Sequence, residues 1–60
     1  MTDFVLQLVR GSAAGIKGYE LIMPAVMNFN LRPGTVQQVV DALEGDGTIY
    51  KDASGMYRPL

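Results

Sequence analysis

The residues able to do chemistry in this chain are few, and they cluster. Gln37, Gln38 and Asp41 lie within two helical turns of one another, with Arg32 before them and Lys51 and Arg58 after. In a DNA major groove a glutamine can pair bidentately with adenine, and an aspartate can accept from cytosine. Arginine and lysine supply the phosphate contacts that seat a protein on a duplex. The sequence has no His and no Cys, which removes nucleophilic triads and the usual zinc sites. Asp41 and Glu44 are close in sequence, but a charged helical turn accounts for them without catalysis. No enzyme activity, cofactor or metal is expected.

The base-reading group needs a helix to hold it. Val36, Val39, Val40 and Leu43 recur at helical spacing. They share one face, and the opposite face then holds Gly34, Gln38, Asp41 and Gly45, flanked by Gln37 and Ala42. Pro33 can be the first residue of this helix; alternatively, Thr35 and Gln38 form a capping box that starts it slightly later. Gly45 and Gly47 stop it. Thr48-Ile49-Tyr50-Lys51 then alternates, with Ile49 inward. Asp52-Ala53-Ser54-Gly55 is a turn in which Gly55 supplies positive φ. Met56-Tyr57-Arg58 returns, and Pro59 is expected to forbid much further pairing. Tyr50 and Tyr57 are expected to pack across the strands or to cover the core edge.

Upstream, Thr2 or Asp3 can cap a first helix through about Arg10, with Phe4, Val5, Leu8 and Val9 on its inner stripe. Gly11 ends it. From Gly11 to Gly18 the chain is too glycine-rich for a long element, and Ile16 is its one strong core candidate, a first short strand. Tyr19 to Asn30 is almost continuously apolar around Pro24. Because the residue before a proline resists the α conformation, the second helix is expected to start near Pro24 and run to Phe29. The alternative starts at Tyr19, with Pro24 as a kink. Met23 and Met27 are expected to fill the core. Asn30 suits a left-handed position in a tight turn, after which Leu31 tucks inward.

A helix feeding a hairpin, with two helices before it, reads as an α+β fold. It is a small winged helix-turn-helix, three helices followed by a two-stranded wing, in a single domain over residues 1–60. The run from Pro33 to Tyr50 resembles the third helix and the start of the wing in bacterial regulators of the GntR class. The matching residues are Thr35-Val36, Ala42-Leu43-Glu44, Asp46-Gly47 and Ile49. That resemblance implies DNA binding and transcription regulation. The residues after the threonine-valine pair are usually basic in those regulators, and here they are Gln37 and Gln38.

Bulk charge restrains that implication. A net charge of −1 argues against a strong polyanion binder. The longest apolar run, Leu21 to Met27, is far short of a membrane span. With no basic start and no cysteine, a cytoplasmic protein is expected. The expected function is a DNA-binding regulator acting as a dimer on double-stranded DNA. Its contacts are Arg32, Gly34, Thr35, Gln37, Gln38, Asp41, Lys51 and Arg58, with Lys17 and Arg10 as helpers. The alternative is a protein-binding adaptor, or an inhibitor of a nucleic-acid machine with no DNA contact of its own. An apolar surplus (Leu21, Ile22, Met23, Met27, Phe29) beyond what a small core needs motivates it.

Overall fold

Three helices precede a two-stranded antiparallel hairpin: α1 (Thr2–Arg10), α2 (Gly18–Phe29), α3 (Pro33–Gly45), β1 (Ile49–Lys51) and β2 (Tyr57–Pro59). The computed structural model describes residues 1–60, and the order of elements is the winged-helix layout the spacing predicts. No helix is long and apolar enough to cross a membrane.

In α1, Val5 and Val9 stand one turn apart and are fully buried, while Phe4 and Leu8 are half-buried beside them. Met1 holds the cap position, and neither Thr2 nor Asp3 caps the helix; Val5 N–H donates to the Met1 carbonyl. Asp3 in the first turn and Arg10 in the last still complement the helix dipole.

The second helix starts at Gly18 rather than near Pro24, so the proline lies inside it. Leu21 and Ala25 straddle Pro24, share one face and are fully buried. Continuing through the proline places both on the same inward face. Asn30 closes the helix at φ 53, ψ 47, and Leu31 N–H returns to the Val26 carbonyl at 3.2 Å. Asparagine tolerates that left-handed geometry better than most residues.

Pro33 is the first residue of α3, and no capping box forms between Thr35 and Gln38: the cap position belongs to Arg32, in extended conformation, with no side-chain cap bond. Val36, Val40 and Leu43 are buried as their spacing predicts, whereas Val39 lies half-buried at the rim of the core.

In the hairpin, Ile49 faces Pro59, Tyr50 faces Arg58 and Lys51 faces Tyr57. Pro59 does not end the pairing. It lacks an N–H, and the ladder resumes beyond it with Leu60 N–H donating to the Thr48 carbonyl at 3.3 Å. On the other side of β2, Ile16 forms an isolated bridge, exchanging two backbone hydrogen bonds with Tyr57 (3.0 and 2.8 Å) and tying the α1–α2 connection to the hairpin. The expected first strand is thus this one bridge. Ile16, Ile49 and Tyr57 join the helix residues in a wholly apolar core. Phe4 and Phe29 meet edge to face at 5.3 Å and fasten α1 to the end of α2.

Candidate interaction surface

The starts of α2 and α3 and the tip of the hairpin surround an open groove of about 400 Å³. Gly18, Tyr19, Ile22 and Met23 form the α2 wall, Pro33 and Gln37 the α3 wall, and Lys51, Gly55 and Tyr57 the hairpin wall. The convergence follows from the core beneath. Leu21 and Val36 point inward, so Ile22 and Gln37, the next residue on each helix, turn toward the groove, while Tyr57 reaches from the core to its floor beside its register partner Lys51.

Gly34, Gln38 and Asp41 are exposed on the face of α3 opposite Val36 and Val40, and Thr35 is exposed on the flank beside Val39. Gln37 is half-buried, and its Nε2 donates to Asp41 Oδ1 at 2.8 Å. The two side chains occupy one another, which leaves Gln38 as the unengaged amide on that face. Such a Gln–Asp pair four residues apart on a helix is a favourable local contact.

The cations divide sharply. Arg32 is exposed at the start of α3 and forms no ion pair. Lys51 lines the groove, with its ammonium 5.2 Å from the centre of the Tyr57 ring. Lys17 precedes α2, and its ammonium lies 6.0 Å from the Tyr19 ring. Arg58, by contrast, is engaged: its Nε donates to Asp52 Oδ2 at 2.5 Å. It sits apart from the groove, close to Gly15. The hydrogen bond from Arg58, reinforced by the Met56 and Ser54 amides, holds the Asp52 carboxyl below its ordinary range. The same bond raises the Arg58 pKa. Of the two hairpin cations predicted to meet phosphate, Lys51 faces the groove and Arg58 serves the turn.

Sequence reasoning counted Ile22 and Met23 in an apolar surplus and gave Tyr19 no role, yet all three form one groove wall. Met23 and Met27 do not fill the core; both are exposed. The signal was the near-continuous apolar character of α2, which is more than one buried face can use. Tyr57 is a core residue, and Tyr50 is exposed. Comparison of the chain with protein-family models, with curated proteins and with solved structures found no match.

Proposed function

We propose that this chain is a winged-helix DNA-binding protein, a transcription regulator acting as a dimer, with α3 in the major groove and the hairpin on the backbone. The observation that supports it is the exposed face of α3. Gly34, Thr35, Gln38 and Asp41 stand clear of the core beside a groove that also carries Lys51. Gln38 is suited to read an adenine edge. Lys17, Arg32 and Lys51 are the cations placed to meet phosphates, so one copy releases few counterions. Three contacts correspond to a salt slope of about −2.7, so a monomer binds weakly, and a pair on two half-sites doubles the number.

Titration of labelled genomic fragments at about 50 and about 200 mM salt tests this reading. Saturable, sequence-dependent binding that weakens steeply with salt supports it. No binding at low micromolar protein overturns it.

A second reading is favoured by a different observation. Tyr19, Met23 and Met27 are exposed on α2, and an apolar surface of this kind suits a protein better than phosphate. On that reading the chain is an adaptor, or an inhibitor docked on a nucleic-acid machine. A stoichiometric partner lost on Met23→Glu but retained on Gln38→Ala supports it over DNA binding.

A further inference from the structure

Three of the chain's five cations surround the groove between α2, α3 and the hairpin. Lys51 lines it, Lys17 immediately precedes Gly18 at its edge, and Arg32 immediately precedes Pro33. None of the three is in an ion pair; the one salt bridge in the structure joins Arg58 to Asp52. Two of the ammonium groups stand against rings, Lys17 by Tyr19 and Lys51 by Tyr57. Both rings belong to the groove, so positive charge lies directly beside aromatic surface. By contrast, none of the six Asp and Glu residues lines it. Asp41 accepts from Gln37, and Asp52 is held by Arg58 and the turn amides. Glu20 lies about 100° round α2 from Tyr19, on the bearing of Met27.

Between the cations the lining is apolar, built from Tyr19, Ile22, Met23 and Pro33. Gly18 and Gly55 put no side chain across the mouth. A Cβ on Gly55 would meet nothing within 4 Å. At about 400 Å³ the groove is at the small end of the range for ligand sites. It suits a few side chains of a segment laid across it. Both helices begin here, at Gly18 and Pro33, with no side chain capping either, so their dipoles add to the same sign of charge.

We propose that this groove binds a short peptide segment of another protein, in which one or two bulky apolar side chains are flanked by aspartates or glutamates. The apolar side chains fill the space over Ile22, Met23 and Pro33, and the carboxylates meet Lys17, Arg32 and Lys51 at the rim. Buried apolar anchors supply affinity, while complementary charge selects and orients the segment. A phosphate backbone matches the cations and leaves the apolar lining uncovered. A neutral apolar partner fills the lining and leaves three cations without counter-charge. An acidic segment with apolar anchors satisfies both. The inference rests on the protein-binding reading and names the partner's chemistry.

The test selects random peptides displayed on phage against the immobilised chain, then titrates the enriched peptide, synthesised free, into nitrogen-labelled protein. Enriched sequences are expected to combine Phe, Leu or Met with Asp or Glu. Their dissociation constants are expected on the order of 10–100 μM, as suits a small open groove. The amides of Gly18, Tyr19, Met23, Lys51 and Gly55 are expected to shift. Replacing the peptide's acids by Asn and Gln is expected to weaken it about tenfold. Lys17 and Lys51 are exposed, and Lys17→Glu and Lys51→Glu are each expected to weaken it about three- to tenfold with circular dichroism unchanged. Asn28→Ala, exposed on another side of α2, is expected to leave it unaltered. Enrichment of basic or uncharged sequences, or shifts centred on Met27, overturns the groove proposal while leaving a protein partner in place. A library that yields no binder removes both. Groove amides that move with a short DNA duplex and not with the peptide assign the site to DNA. Movement with protein concentration alone assigns it to a second copy, and either result overturns the proposal.

Discussion

Arg58 Nε and Asp52 Oδ2 lie 2.5 Å apart across the mouth of the hairpin turn, and this pair ties the wing's stability to its chemistry. Asp52 is the centre of the turn. Its Oδ1 accepts the N–H groups of Ser54 (2.9 Å) and Met56 (3.0 Å), and its backbone carbonyl accepts from Gly55. Arg58 completes the set of donors through its Nε.

The acid limb of stability should carry the signature of that carboxylate. Its folded pKa is lowered, first by the Arg58 hydrogen bond and then by the Met56 amide. The unfolded chain therefore binds the proton more readily, so the contribution is present above the ordinary carboxylate pKa and is lost as pH falls through the folded value. Thermal midpoints are expected to drop below about pH 4. Asp52→Asn is expected to lower the midpoint at neutral pH and to flatten that part of the profile. Identical profiles for the wild type and the Asp52→Asn variant between about pH 5 and 2 would exclude the assignment.

On DNA, the groove-facing and turn-bound cations should separate. Lys51→Ala is expected to reduce affinity evenly across sequences and to lower the salt slope by about 0.9. Gln38→Ala is expected to relax base preference with little change in slope. Arg58→Ala should destabilise the hairpin yet leave the slope near its original value, because its Nε is held by Asp52 and the side chain sits apart from the groove. A slope reduced as much by Arg58→Ala as by Lys51→Ala would mean that the ion pair opens on the duplex.

Gly15 marks the point where the connection after α1 is drawn onto β2. It has φ +96, and a Cβ there would lie 2.9 Å from the Met56 Cβ. Gly15→Ala combines a left-handed backbone with a steric clash, and its expected cost is about 1–3 kcal/mol in urea unfolding. Gly45, at the end of α3, has nothing within 4 Å of such a Cβ and no positive φ. Gly45→Ala is expected to stabilise by up to about 1 kcal/mol. Equal effects at the two positions would remove the special role of Gly15.

What the sequence disclosed follows from the range of the forces involved. Val36, Val40 and Leu43 were legible because one-sided burial imprints its period on the helix itself. The turn at Asp52–Gly55 was legible because its chemistry is local: an aspartate bonding to nearby amides and a glycine at φ +83. Asn30 was legible for the same reason. Other features depend on contacts that spacing does not carry. Whether Met23 and Met27 meet a neighbour depends on what packs outside α2, and hydropathy cannot say that nothing does. Lys51 lies by the Tyr57 ring because the two are register partners, and register emerges only when the hairpin closes. The Gln37–Asp41 pair was within reach of sequence reasoning, since four-residue spacing on a helix brings such side chains together. The start of α2 was misplaced because a local rule for proline was set against a tertiary gain.

That contest can be measured at Pro24. The proline has no N–H, so the carbonyl of Glu20 loses its helical donor, and an interior proline costs a helix about 3 kcal/mol. Against this, burying Leu21 contributes about 1.5–3 kcal/mol, and Ala25 and Ile22 add to it. The helix therefore continues through an unfavourable residue. Pro24→Ala restores the bond and removes the ring's clash, while freeing the unfolded chain by about 0.4–1 kcal/mol. The net expectation is a gain of about 2–2.6 kcal/mol, read as a higher urea midpoint with an unchanged m-value. A loss instead would mean that the bend imposed by the proline is what seats Leu21 and Ala25 together. In that case the geometry of α2, and with it the outward line of Tyr19, Met23 and Met27, depends on Pro24 itself.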